Sequence, residues 1–139
     1  MKKKLLIAAL ALFIILFSAQ LLFRTTGGDT SDLHRISGAS ELYTDDEIEQ
    51  IMEIVEQHFK KEFNGCRMTE LEYNESFSLK ACDEWASQYA ADRAIVLTSS
   101  FFVGLFADES LTTNTTYRNW QWILTKNNGE PWILQTWGY

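Results

Sequence analysis

The pattern of apolar and polar positions divides the chain into three parts. Residues 5–23 form an apolar run that only two polar residues interrupt. Residues 24–40 are rich in Gly, Ser, Thr and Asp and show no apolar period, which predicts a flexible linker. From residue 41 to residue 139, apolar positions recur at helical or strand spacing, which predicts one small folded domain.

The apolar run predicts a signal anchor, a transmembrane helix within residues 1–23. At about 1.5 Å per residue the run spans roughly 28 Å, close to the roughly 30 Å of a hydrocarbon core. If a signal peptidase cleaved after Ala19, bulky Phe17 would occupy the minus-three position, where a small residue is required, and this argues against cleavage. The lysines before the run favour a cytoplasmic N-terminus, so we expect a single-pass protein of the cell membrane with its C-terminal domain outside. The alternative is a protein secreted after signal cleavage.

A long amphipathic helix opens the domain, in "YTDDEIEQIMEIVEQHFKKEFNG". Thr44 with Glu47 three residues later makes a capping box, and Asn64 and Gly65 supply the stop. One apolar stripe runs along it: Ile48, Ile51, Met52, Val55 and Phe59.

Strand patterns dominate the rest. Residues 67–73 predict a strand, and residues 74–93 a helix with Phe77, Ala81, Trp85 and Tyr89 on one side, capped by Asn74 or Ser76. Residues 94–103 predict a strand buried on both faces, followed by a loop.

The closing stretch "NWQWILTKNNGEPWILQTW" predicts a β-hairpin. If Asn128 and Gly129 form a two-residue turn, Trp120 opposes Trp137 and Trp122 opposes Gln135. A longer turn that accommodates Pro131 would shift this register. The predicted fold class is therefore α+β: a curved antiparallel sheet packed on a long N-terminal helix, cone-like, preceded by a transmembrane helix.

Three segments carry a resemblance: "LYTDDEIEQIMEIVEQHFKKEFNGC", "EWASQYAADRAIVLTSSF" and "NTTYRNWQWILTKNNGEPW". They resemble a poorly characterised family of extracytoplasmic domains of Gram-positive bacteria, chiefly clostridia, also seen as the outer domain of antibiotic-sensor-type membrane metallopeptidases. The resemblance implies a cystatin-like or nuclear-transport-factor-like cone fold, and binding or sensing outside the membrane. The loop "FVGLFADESLTTNTT" departs from the Gly-rich and Asp-rich loop of that family, and no His-Glu-x-x-His sequence occurs.

The net charge of the folded domain limits the classes of partner that it can bind. Residues 41–139 carry seven Lys and Arg against seventeen Asp and Glu, a net charge of −10. Such a surface repels phosphate backbones, so nucleic acid is excluded as a partner. Cationic peptides, divalent cations or a basic protein face fit better, although acidity also serves solubility alone.

No catalytic motif is present, so we do not expect an enzyme. His58 borders the helix stripe, and the carboxylates Asp83, Glu84 and Asp92 would serve a cone-fold hydrolase or isomerase only from within an apolar pocket. No cofactor or metal site is predicted, since no Cys and His cluster or calcium-loop spacing occurs. Cys66 and Cys82 either form a disulfide or remain as free thiols.

The aromatic hairpin is the predicted binding region. We expect Trp120 and Trp122 in the core. The candidate ligand- or partner-binding residues, which we expect at the surface, are Trp132, Trp137, Tyr139, Gln121 and Gln135. The predicted function is a membrane-anchored extracytoplasmic binding or sensor-accessory domain for a small ligand, a peptide or a cell-envelope protein. The alternatives are the cone-fold enzyme and a structural adaptor of a membrane complex.

Overall fold

The computed structural model describes residues 9–18 and 27–139. The domain is α+β, with one five-stranded sheet and helices on it. In chain order the elements after the helical residues 9–18 (α1) are β1 (His34–Ser37), α2 (Asp45–Glu62), β2 (Cys66–Tyr73), α3 (Glu75–Ser78), α4 (Cys82–Gln88), β3 (Arg93–Val103), β4 (Thr115–Lys126) and β5 (Ile133–Gly138).

The N-terminal apolar run is only partly described. Residues 9–18 are helical and expose their large apolar side chains. The remainder of the predicted transmembrane helix, residues 1–8 and 19–23, lies outside the described residues. Within the described ranges, no helix combines the length and the apolar character needed to cross a membrane.

Helix α2 forms where its local signals predict it. Thr44 is the N-cap, and its side chain accepts a hydrogen bond from the backbone N–H of Glu47. All five residues of the predicted apolar stripe are fully buried: Ile48, Ile51, Met52, Val55 and Phe59. Gly65 ends the turn at φ 72°, where a Cβ would lie 2.8 Å from the backbone nitrogen of Ala107.

The sheet has the order β1-β2-β3-β4-β5. Strands β2 to β5 pair antiparallel, whereas β1 pairs parallel to β2. The sheet is therefore mixed and not wholly antiparallel as predicted. Strand β1 lies inside the predicted flexible linker of residues 24–40, and Arg35 on it reaches the carboxylates of Glu49, Glu53 and Glu56 on α2. A four-residue edge strand is too short to show the alternating apolar pattern by which a strand is predicted from sequence.

One sheet face and α2 enclose the main core. Met68, Leu97, Phe101, Trp122 and Leu124 are all fully buried there. The other face is covered in part by α4, which packs on β3. Val96 and its cross-strand partner Ile123 are buried on that side.

The single helix predicted for residues 74–93 is wrong in extent. Two short helices form instead, and Asn74 caps the first by accepting a hydrogen bond from the N–H of Phe77. The hydroxyl of Ser78 accepts a hydrogen bond from the N–H of Val96, at 3.0 Å. Val96 lies beyond the end of the β2–β3 pairing, so α3 supplies a bond that the neighbouring strand does not.

The hairpin exists, but its predicted register is wrong. Trp122, not Trp120, pairs with Trp137, and Thr125 pairs with Ile133. The turn is longer than two residues: the N–H of Glu130 bonds the carbonyl of Asn127, and β5 begins only after Pro131. Proline has no N–H for the strand ladder, which explains the longer turn.

A candidate aromatic cleft

A cleft of about 410 Å³ opens between the C-terminal end of α2, the loop after β3, the middle of β4 and the end of β5. We call it the aromatic cleft. Its lining residues are Glu62, Phe63, Asn64, Asp108, Ser110, Leu111, Trp120 and Trp137. Three of these are aromatic, and the others are mainly polar or acidic. Ligand sites commonly combine an apolar wall with a few polar groups in this way.

Phe63 forms the aromatic centre of the cleft. Its ring lies 6.3 Å from the ring of Trp120 and 6.5 Å from that of Trp137, measured between centroids. Phe63 is 6% exposed, whereas Trp137 is 40% exposed. Phe63 is thus the floor and Trp137 an accessible wall.

A β-bulge brings two aromatic residues of β4 to one face. Ser99 pairs with Trp120 and Phe101 with Tyr117, so β4 carries one residue more than β3 between these pairs. Residues 117 and 120 would otherwise point to opposite faces, because side chains alternate along a strand. Instead both rings contact Phe101, with centroids 5.3 and 5.4 Å away.

Asn119 makes the bulge, with φ at 57°. Asparagine adopts this left-handed conformation more readily than most residues with a Cβ. This local feature is the sequence signal that could have located the bulge.

Two polar atoms beside the cleft have no hydrogen-bond partner in the described part of the chain. They are Nε1 of Trp120 and Nε2 of His58, and both are shielded from solvent. Other indoles are satisfied: Trp122 donates to the hydroxyl of Ser99 at 2.8 Å, and Trp132 donates to Glu47 at 3.0 Å. A buried polar atom without a partner costs stability.

His58 packs against the wall of the cleft. Its ring centroid lies 4.2 Å from that of Trp137. Burial lowers the pKa of His58, an effect that Glu62 opposes and Lys61 reinforces. The imidazole is therefore neutral at neutral pH and offers no positive charge to the cleft.

Carboxylates lie at the rim. The Oδ1 atom of Asp108 accepts a hydrogen bond from the N–H of Ser110 at 2.8 Å, and this contact lowers the pKa of Asp108. Glu62 is half exposed and lies 3.3 Å from the Nζ of Lys61, whose side chain is 81% exposed.

Only part of the predicted binding set meets at the cleft. Trp137 lines it, and Tyr139, 76% exposed, packs next to it with its ring 5.3 Å from that of Trp120. The expected surface position of Trp132 is wrong: it is 6% exposed and packs edge-on against Tyr43.

The two glutamines lie away from the cleft. Gln121 follows Trp120 and precedes Trp122, so it points to the opposite sheet face. The Nε2 atom of Gln135 donates to the hydroxyl of Thr125, at 2.8 Å, on that same opposite face. Alternation along β4 places Gln121 there in either register. The pairing shifts by one residue between Leu124–Leu134 and Ile123–Thr136, and this extra residue of β5 separates Gln135 from the face of Trp137.

The sequence did not single out Phe63, Glu62 or the loop residues Asp108 and Ser110 as binding residues, and it placed Trp120 in the core. Trp120 is partly buried against the core and also lines the cleft. These residues come from four separate chain segments, which no local pattern joins.

A second cavity, of about 210 Å³, lies beside α4 and includes Asp83 and Asp92. These carboxylates and Glu84 are exposed, and Asp92 accepts a hydrogen bond from the N–H of Asn128. These exposed positions differ from the apolar pocket that the cone-fold enzyme alternative requires of its carboxylates. No group of three or more His, Cys, Asp or Glu in the described ranges could hold a metal ion.

The fold and the site define an α+β domain with an aromatic cleft. The chain matches no family model, no curated protein and no solved structure. Membership of the clostridial extracytoplasmic family therefore stays a prediction from sequence.

Proposed function

We propose that this protein is a membrane-anchored extracytoplasmic binding or sensor-accessory domain that takes its ligand in the aromatic cleft. One observation carries the proposal: three aromatic side chains, Phe63, Trp120 and Trp137, line one open cleft of about 410 Å³ together with polar and acidic residues. Trp137 adds an exposed aromatic surface, the kind of residue that contributes strongly to binding.

The cone-like shape belongs to this proposal. Register shifts occur in three of the strand pairings, at Met68/Glu70, Ser99/Phe101 and Ile123/Leu124. Bulges bend strands and increase their twist, which supports a sheet that curves around α2. A curved sheet leaves open space between itself and the C-terminal end of α2, where the aromatic cleft lies.

The anchor is supported by the composition of the N-terminus. Lys2, Lys3 and Lys4 precede an apolar run of membrane-spanning length. The described residues 9–18 expose apolar side chains that water solvates poorly, as expected of a lipid-facing helix. In this proposal the domain lies outside the membrane.

Indole NMR signals test the cleft directly. The full-length chain in detergent micelles has five tryptophans, so each indole N–H reports on one position. We expect members of a fragment library of apolar amides and amines to shift the Trp120 and Trp137 signals while leaving Trp85 unchanged. Shifts confined to Trp85, or a library that leaves all five signals in place, would contradict the proposal.

The substitution Trp137→Ala should weaken binding of such a fragment by about tenfold or more, because it removes the accessible wall. Phe102→Ala is the matched control, since Phe102 is an aromatic residue with the same exposure of 40% and does not line the cleft. Fragment titrations of the two variants give the comparison. Equal affinities would place binding elsewhere.

A further inference from the structure

The aromatic walls of the cleft are suited to a positive charge. Aromatic faces carry negative electrostatic potential, and an ammonium or guanidinium within about 6 Å of a ring centroid is attracted to it. Phe63, Trp120 and Trp137 provide three such rings around one open space.

The rim adds formal negative charge. Glu62 and Asp108 both line the cleft, and no lining residue is Lys or Arg. Lys61 contacts Glu62, but an ion pair this exposed is worth little. The net charge of −10 over residues 41–139 adds a long-range attraction for cations.

At the opposite end of the core, side chains of the protein itself make cation–π contacts of this kind. Arg93 lies over the rings of Tyr43 and Trp132, at 4.7 and 5.7 Å, and Lys126 lies 5.7 Å from Trp132. Among the residues that the structure describes, no Lys or Arg occupies the corresponding place over Trp120 or Trp137. The cleft therefore has aromatic rings and carboxylates but no internal cation.

We propose that the aromatic cleft binds an organic cation, an ammonium or guanidinium group on an apolar chain. The inference rests on the proposed function and names the ligand class of that site. Two sources share this chemistry: a free alkylamine, and the Lys or Arg side chain of a peptide.

Three small probes test the inference by indole NMR on the full-length chain in micelles. They are N-acetyl-lysine methylamide, its uncharged analogue N-acetyl-norleucine methylamide, and butylammonium. We expect the lysine probe to shift Trp120 and Trp137 and to bind about tenfold more tightly than the norleucine probe. Tighter binding of the lysine probe than of butylammonium identifies a peptide source, and the reverse order identifies a free amine.

Neutral variants separate charge from shape. Glu62→Gln and Asp108→Asn should each reduce the affinity for the lysine probe about threefold and leave the affinity for the norleucine probe unchanged. Glu84→Gln removes the same charge from an exposed position on α4 and should change neither. Asn at position 108 retains the Oδ1 acceptor that Ser110 uses, so the loop is kept.

The outcomes distinguish the two proposals. If the norleucine probe binds as tightly as the lysine probe, the inference of a cation is overturned while ligand binding in the cleft stands. If none of the probes or library fragments moves the Trp120 and Trp137 signals, both proposals fall.

Discussion

Glu56 lies where α2 meets the segment that carries β1. Its carboxylate contacts Arg35, Lys60 and Thr30, and the Lys60 contact is 2.6 Å. Burial alone would raise its pKa, but the hydrogen bonds from these three residues outweigh burial and lower the pKa to about 2. Glu56 therefore stays charged and ties the N-terminal segment to the helix.

The substitution Glu56→Gln should destabilise the fold at neutral pH by about 2 kcal/mol, because charged hydrogen bonds are lost. The folded-state pKa lies below the ordinary 4.5, so this stabilisation is complete above about pH 5 and disappears as the pH falls toward 2. The difference between wild type and variant, measured by urea unfolding, should shrink over that range.

Glu53→Gln is the matched control for this experiment. Glu53 contacts the same Arg35, but its side chain is 52% exposed, against 12% for Glu56. The substitution Glu53→Gln should lower the free energy of unfolding by less than about 1 kcal/mol. Equal losses for the two variants, or a Glu56→Gln effect that does not vary with pH, would show that Glu56 has no special role.

At the scale of the element, the bulge in β4 decides which aromatic residues lie together beside the cleft. The sequence predicts a hairpin strand in the closing stretch, and β4 forms there with the bounds Thr115–Lys126. A pattern that alternates without interruption places Tyr117 and Trp120 on opposite faces, whereas the bulge at Asn119 places both beside Phe101. One residue in a left-handed conformation thus brings Tyr117 to the same face as Trp120, where the two rings pack against each other.

Asn119→Val should destabilise the domain by about 1–2 kcal/mol, because a β-branched residue is strained at positive φ. It should also displace the Trp120 indole signal and weaken cleft ligands. Asn119→Gly is the control, since glycine adopts φ 57° without strain and should preserve the signal. Urea unfolding and the indole spectrum measure both effects, and a fully stable Val variant with an unchanged spectrum would show that the bulge is not required.

At the scale of the whole molecule, the two cysteines report on the core and the surface separately. Both are free thiols in the structure. Cys66 is 2% exposed in the main core, and burial together with the charge of Asp108 raises its thiol pKa to about 11. Cys82 begins α4 and is only partly buried.

A thiol reagent should therefore label Cys82 in the native protein and Cys66 only after unfolding, because the thiolate is the reactive form. Mass spectrometry of native and urea-treated samples gives the number of labels. Cys82→Ser should show almost no native labelling, whereas Cys66→Ser should label as wild type does. An intact mass showing a Cys66–Cys82 disulfide would contradict this expectation.

The sequence by itself determined the local elements. The Thr44 cap and the apolar stripe of α2 act between residues three or four apart, so they specify the helix without reference to the rest of the chain. The strands from β2 to β5 and the presence of the hairpin followed from apolar runs and turn residues in the same way.

Only the tertiary structure decided the register, the edge strand β1 and the cleft. Both faces of the hairpin are partly apolar, so hydrophobic pattern alone did not choose between registers. The turn around Pro131 shifts the pairing by one residue, and the bulge between the Leu124 and Ile123 pairings shifts it by one more. Strand β1 depends on β2 and on the carboxylates of α2, which lie far along the chain. The cleft joins four segments whose meeting follows from packing, and packing is a property of the whole chain and not of any stretch of it.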